Sequence, residues 1–353
     1  MDTISYDNFI ASFTDMAYKE DIPIVGSFEL TPFCNFTCKM CYVYLQRTNV
    51  KQRILSGHDW IGIMSEAIEK GMLNAILTGG EAMTHPDFWD IYMYLVSYGI
   101  IIRLKTNGLL LTKENIQKFS KYPPYIIDVS LYGCDSKSYL AVTNVDAYEV
   151  VVKNIRMAIE AGLQLRIMIT PSKFMIPWIE QILMLAKSFG TQVIINDILI
   201  EPNKETKRKK ADFDLDGKQI NKIVQLKRNL QLSINSSTKE EDSCDVFVKR
   251  SHIPKKGLYC NGGRTSFAIN WDGTMSPCLC FPRDIVCAHP IKNGFNFAWN
   301  EINFTVKNYV VPEKCSLCNI NNKCHYCPTQ HGELASKNLC DSSVCAYWHK
   351  VYE

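Results

Sequence analysis

Three cysteines lie close together near the start of the chain, in Cys34-Asn35-Phe36-Thr37-Cys38-Lys39-Met40-Cys41. Thiolates are soft ligands that suit iron–sulfur clusters or zinc. Three of them cannot saturate a cube of four irons, so one iron stays open to a substrate or cofactor. A structural zinc site would need a fourth protein ligand, and no histidine lies nearby in sequence; zinc is the competing reading of this spacing. A second group follows residue 240: Cys244, Cys260, Cys278, Cys280, Cys287, Cys315, Cys318, Cys324, Cys327, Cys340 and Cys345. Within it, Cys315-x2-Cys318 and Cys324-x2-Cys327 read on their own as a zinc ribbon. Cys134 stands alone. Cysteine makes up 15 of the 353 residues. The first 22 residues carry Asp2, Asp7, Asp15, Glu20 and Asp21, and no apolar run is long enough for a signal peptide or a membrane span. The expectation is therefore a cytoplasmic chain, where disulfides rarely persist and cysteine-richness means metal.

The elements that must position these thiols alternate. Strand-like runs are Ile24–Leu30, Asn74–Thr78, Ile100–Thr106, Ile126–Leu131, Gln164–Ile169 and Gln192–Leu199. Helix-like runs fall between them, at about Asp59–Lys70, Asp87–Ser97, Lys113–Phe119, Val145–Ala161 and Ile176–Phe189. This pattern predicts an α/β fold with a parallel sheet and right-handed crossovers. Six strands are too few to close an eight-fold barrel, so a partial (β/α)6 TIM-like barrel is expected, with its site at the C-terminal strand ends. Asp214–Leu230 reads as one more helix, and residues 235–242 as a polar linker. The expected division is an N-terminal extension over residues 1–23, the barrel over 24–234, and linker plus cysteine-rich domain over 235–353. Hydrophobic residues at 46% and charged residues at 21% exclude a disordered or collagen-like chain. A net charge of +3 gives no reason to expect nucleic acid or an anionic membrane as partner. Lys204 to Lys210 form a basic stretch, read as a solvated loop or as a contact for an acidic peptide.

The array Cys34-x3-Cys38-x2-Cys41, with the aromatic Tyr42 after its last cysteine, resembles the signature of the radical S-adenosylmethionine (radical SAM) enzymes. The resemblance implies a 4Fe–4S cluster on these three cysteines, whose open iron is chelated by S-adenosylmethionine. Reductive cleavage then gives a 5′-deoxyadenosyl radical that abstracts hydrogen from a substrate. An external donor of the flavodoxin or ferredoxin kind would supply the electron. Thr78-Gly79-Gly80-Glu81 ends the second strand like the family's GGE motif, where the glutamate accepts from the cofactor's amino group. Read without the family, Gly79 and Gly80 allow close backbone approach. Thr106-Asn107-Gly108 ends the third strand and is expected to shape the pocket. Ser130, ending the fourth strand, resembles a position that contacts the cofactor, or is a strand-end hydroxyl satisfying backbone. Arg166, in the fifth strand, either pairs with the cofactor carboxylate or faces outward.

The tail resembles the SPASM extension of one branch of that family, and the likeness spans about residues 26–345. Cys260-x12-Gly273-x4-Cys278 matches its hairpin, turning at Asp272-Gly273. Cys315, Cys318, Cys324 and Cys327 match its cysteine run, except that two residues rather than three separate Cys324 from Cys327. The resemblance implies two auxiliary 4Fe–4S clusters, three in all. Cys260, Cys278 and Cys327 would hold the nearer one; Cys315, Cys318, Cys324 and Cys345 would hold the farther one, with Cys340 competing for the place of Cys345. Cys244, Cys280 or Cys287 would complete the nearer cluster, or its fourth iron is open to substrate.

This branch mostly modifies peptides and proteins. The expected activity is therefore maturation of a ribosomally made peptide, by a thioether or carbon–carbon crosslink or a related change. Sulfatase maturation is disfavoured, because Leu279 stands where those enzymes carry an aspartate. A small-molecule substrate such as a porphyrin or sugar is a rival, and a zinc-stabilised binding protein is the rival outside enzymology. Cys134 is read as a free thiol, or as a catalytic residue facing the substrate. His85, His289, His325 and His331 are read as structural or surface residues. Only about 23 residues precede the first strand, so a leader peptide is expected to dock on the barrel, the tail or a separate leader-binding protein.

Overall fold

The computed structural model describes residues 6–43, 53–196, 212–233, 257–324 and 326–352. Helix α1 spans Tyr6–Lys19, within the segment expected only as an extension. Strands β1 (Val25–Glu29), β2 (Asn74–Thr78), β3 (Ile101–Thr106), β4 (Ile126–Ser130), β5 (Leu165–Ile169) and β6 (Gln192–Ile195) fall where the sequence pattern placed them. Helices α2 (Gly57–Glu69), α3 (Phe88–Ser97), α4 (Lys113–Lys121), α5 (Ser136–Thr143), α6 (Tyr148–Glu160) and α7 (Ile179–Ser188) connect them, and α8 (Gly217–Ser233) follows. The hairpin forms as β7 (Ser266–Ile269) and β8 (Met275–Ser276); Gly273 takes φ +82° at its turn, a conformation that favours glycine.

The sheet has eight strands in the order β6-β5-β4-β3-β2-β1-β7-β8 and does not close. The first six run parallel, as expected. The hairpin extends the same sheet, because β7 pairs in parallel with β1, Phe28 opposite Ile269. An aromatic set fixes it there. Phe267 lies edge-on to Phe28 at 5.8 Å and to Phe295 at 5.0 Å, and Trp60 of α2 lies 6.2 Å from Phe28. Phe295 begins α10 (Phe295–Asn308), after the single turn α9 (Pro290–Asn293).

The register explains the two sheet faces. Ile269, Phe28, Leu77, Leu104, Ile127 and Leu165 form one row across six strands. All are buried beneath α2, α3, α4, α6 and α7, which contribute Trp60, Phe88, Phe119, Ile155 and Ile182 to the same core. Side chains alternate along a strand, so the opposite face carries Glu29, Arg103, Lys105, Asp128 and Arg166. Helix starts are set by caps. Ser56 and Asp59 form a reciprocal capping box on α2, and Asp135 and Ser138 form another on α5. Among the described residues no helix is long and apolar enough to cross a membrane. The stretch from Lys204 to Lys210, the linker at 235–242, Cys244 and His325 lie outside the described residues.

Candidate functional site

The loop leaving β1 carries Cys34, Cys38 and Cys41, and three elements hold it. The first is the end of β2. Gly80 N–H donates to the Thr31 carbonyl at 2.7 Å, and Glu81 N–H donates to that of Phe33 at 2.8 Å. A Cβ on Gly79 would stand 2.7 Å from the Thr31 oxygen, and one on Gly80 would collide with the Phe33 carbonyl. The two glycines thus serve backbone-to-backbone packing that fixes the start of the cysteine loop. The second element is α5, which the sequence reading missed. Thr37 N–H and Lys39 N–H donate to the carbonyls of Thr143 and Val142 at its C-terminal end, at 3.2 and 3.0 Å. The third is aromatic: fully buried Phe36 lies edge-on to Tyr132 at 6.1 Å and to Tyr139 at 6.5 Å.

Glu81 is 1% exposed. Its carboxylate accepts from the Thr106 hydroxyl at 3.0 Å, from Asn107 N–H at 2.8 Å and from Met83 N–H at 3.3 Å. Burial pushes its pKa up to about 7, against these three hydrogen bonds, which pull it down. Asn107 reaches the cysteine loop: its Nδ2 donates to Asn35 Oδ1 at 2.6 Å and lies 3.6 Å from the Cys34 sulfur. Ser130 and Cys38 are joined through Tyr132, whose hydroxyl hydrogen-bonds with both. Tyr132 was also missed; its signal was an aromatic two residues beyond Ser130, on the same side of the chain.

Arg166 is committed elsewhere. Its Nε and Nη2 donate to the two oxygens of Asp128, at 2.8 and 3.0 Å, and both residues are buried. The pair spans β4 and β5 as register neighbours, so the arginine neither faces outward nor waits unpaired for a cofactor carboxylate. Cys134 belongs to the cap of α5: its N–H donates to Ser138 Oγ at 2.9 Å and its sulfur lies 3.7 Å from that oxygen. His85 accepts from Asp87 N–H through Nδ1, and its Nε2 lies 2.9 Å from the Leu55 carbonyl oxygen, which makes it structural. His331 stacks on Tyr326 at 4.5 Å.

None of the fourteen described cysteines is in a disulfide. On the β1 loop, Cys41 lies close enough to raise both Cys34 and Cys38. Burial comes first, pushing Cys34 up to about 12, and mutual repulsion adds to it at Cys34 and Cys38. Such thiols stay protonated unless a metal makes them thiolates. Among the described residues no three metal-ligating side chains converge on a point that one ion could fill. Three soft thiols on one loop are a donor set that suits an iron–sulfur cluster. Cys34, Cys38 and Cys41 would hold it, with Glu81 and Asn107 beside the loop.

The tail gathers its own thiols. Cys278 has Cys280, Cys260 and Cys327 around it. A cavity of about 790 Å³ is lined by Cys315, Cys318, Cys324, Cys340 and Cys345, and by His349. Cys340 and Cys345 both reach it, with their sulfurs 2.9 Å apart. His349 Nε2, absent from the sequence reading, lies 3.5 Å from the Cys318 sulfur.

The sheet is open and mostly parallel, with three thiols on the loop after its first strand, Cys38 buried and Cys34 and Cys41 half-buried, and a glycine-glycine-glutamate turn at the end of its second. Residues 28–187 match the Radical SAM superfamily. Among its relatives, a probable GTP 3′,8-cyclase of Methanococcus maripaludis is 29% identical over 278 residues, 76% of this chain and 91% of that one. An AdoMet-dependent heme synthase of Methanosarcina barkeri is 23% identical over 347 residues, 94% of this chain and 99% of that one. The mycofactocin maturase MftC of Mycobacterium tuberculosis is 24% identical over 178 residues, 50% of this chain and 44% of that one. Among solved structures, Streptococcus suis SuiB bound to S-adenosylmethionine shares the fold with a TM-score of 0.70 at 16% identity, over 98% of this chain and 84% of that one. SuiB has also been solved bound to its precursor peptide SuiA.

Proposed function

We propose that this protein is a radical SAM peptide maturase. A 4Fe–4S cluster on Cys34, Cys38 and Cys41 with bound S-adenosylmethionine supplies, when loaded, a 5′-deoxyadenosyl radical that takes hydrogen from a residue of a ribosomally made peptide. The chain's own residues position it. Glu81 receives the cofactor's amino group, Asn107 and Ser130 line the pocket, and α5 with Phe36 holds the cysteine loop still. Two auxiliary 4Fe–4S clusters occupy the tail, one at Cys260, Cys278 and Cys327, the other in the cysteine-lined cavity. The electron comes from a flavodoxin or ferredoxin-like donor, and the reaction is cytoplasmic. A leader peptide docks on the barrel, the tail or a separate protein.

The observation that carries this reading is the seat of the hairpin. Strand β7 pairs with β1, the strand that feeds the cysteine loop, so the auxiliary thiols are tied to the sheet edge beside the site. The whole-chain likeness to SuiB and the match to MftC support a peptide as substrate. A small-molecule substrate is the second reading, favoured by the matches across most of the chain to a GTP cyclase and a heme synthase. The test is turnover by anaerobically reconstituted, reduced protein given S-adenosylmethionine and, separately, short peptides encoded beside its gene, GTP, and a porphyrin. A peptide that stimulates 5′-deoxyadenosine release and returns with altered mass supports the proposal. Stimulation by GTP or porphyrin alone overturns it.

A further inference from the structure

Three tail cysteines are open to the role of fourth ligand at the nearer auxiliary cluster. Cys244 lies outside the described residues. Cys287 keeps other company: the Thr274 side chain hydrogen-bonds with it, and Arg283, Asp272 and Glu301 act on it by charge. Cys280 is placed differently. It stands beside Cys278, which also has Cys260 and Cys327 around it. The backbone builds this meeting. Phe281 N–H donates to the Cys278 carbonyl at 3.0 Å, folding residues 278–281 into a turn, and Ser276 Oγ donates to the same carbonyl at 2.9 Å. The Cys260 end is packed against it. Gly262 N–H lies 3.3 Å from the Cys260 sulfur, and a Cβ on Gly262 would be 2.7 Å from the Pro277 oxygen.

Tyr42 approaches this group from the other site. It follows Cys41 directly, and its hydroxyl is hydrogen-bonded with the Cys280 side chain. Cys41 and Glu29 lie near it as well. One side chain therefore joins the loop of the first three cysteines to the turn of the hairpin.

We infer that Cys280 is the fourth ligand of the nearer auxiliary cluster, and that Tyr42 holds its sulfur by a hydrogen bond from the β1 loop. The inference rests on the reading of the tail as cluster-bearing. Four protein thiolates then close that cluster, and no iron in it is open to the substrate. A hydrogen bond to a ligand sulfur stabilises the more negative, reduced state and so raises the reduction potential. Tyr42 is thus a positioning and tuning residue.

The experiment uses the full chain, reconstituted anaerobically, with iron analysis, EPR and redox titration. Wild-type iron near twelve per chain is what the tail reading requires, since three cubes hold about four irons each; about four would sink that reading, whatever Tyr42 does. Given full loading, Cys280→Ala is expected to change the EPR signal of one auxiliary cluster or lose its iron, and Cys287→Ala to change neither. Tyr42→Phe is expected to keep the iron and shift one auxiliary midpoint to more negative potential. An unchanged spectrum in Cys280→Ala, with the change appearing in Cys244→Ala instead, overturns the ligand assignment. An unmoved potential in Tyr42→Phe overturns the tuning role.

Discussion

Glu81 gives the sharpest quantitative prediction. Its carboxyl is 1% exposed, and burial moves its pKa from an ordinary 4.5 to about 7 despite three hydrogen bonds. The folded value is raised, so the folded state prefers the protonated acid. Stability from this group is fully present below pH 4.5. It is lost as pH rises toward 7, because the unfolded chain ionises first. The gap between the two values corresponds to about 3 kcal/mol. Glu81→Gln removes the ionisation at nearly constant volume. One of its amide hydrogens then faces Met83 N–H or the Thr106 hydroxyl, a mismatch of about 1 kcal/mol that does not depend on pH. Denaturant unfolding of cluster-loaded protein without S-adenosylmethionine, at pH 5 and pH 8, reads the difference. The wild type should lose about 3 kcal/mol more than the variant between these limits. Equal pH slopes would show that the carboxyl is already ionised in the folded state, and the argument from burial would fail.

Asp128→Asn leaves the buried Arg166 guanidinium without its charge partner, and Lys105, 3.8 Å from Asp128, without the same one, and should cost about 3–5 kcal/mol, read by thermal or denaturant unfolding; a change below about 1 kcal/mol would show that water compensates. Gly80→Ala drives a methyl into the Phe33 carbonyl, so iron held at Cys34, Cys38 and Cys41 should fall, and full iron with an unchanged visible spectrum would contradict the packing role. Cys318→Ala should abolish the peptide product while 5′-deoxyadenosine still forms, and an unimpaired product yield would make the farther cluster dispensable.

How much of this was legible in the sequence depended on the range of the interaction. The six parallel strands announced themselves as apolar runs of the right length, and β1 to β6 formed there. The cysteine loop and the Gly79-Gly80-Glu81 turn were legible because they are local and composed of unusual residues. Helix α5 was missed because Ser136-Lys137-Ser138-Tyr139 begins it without an apolar stripe; only the cap at Asp135 and Ser138 betrayed it. The pairing of β7 with β1 joins residues about 240 apart in the chain, and no local pattern encodes it. Arg166 was ambiguous for the same reason: which strand residue it meets depends on a register that only the assembled sheet sets. Tyr42 was singled out as an aromatic beside a cysteine array. Its partner, Cys280, lies on the hairpin, which the sequence alone left apart from the sheet.

The central claim is that Cys34, Cys38 and Cys41 hold a cluster that cleaves S-adenosylmethionine. The most direct measurement is 5′-deoxyadenosine release by anaerobically reconstituted, reduced protein, with EPR recorded before and after adding S-adenosylmethionine. The wild type should release 5′-deoxyadenosine and change its EPR signal when the cofactor is added. The triple variant with Cys34, Cys38 and Cys41 replaced by alanine should do neither. Cleavage retained in the triple variant would contradict the account.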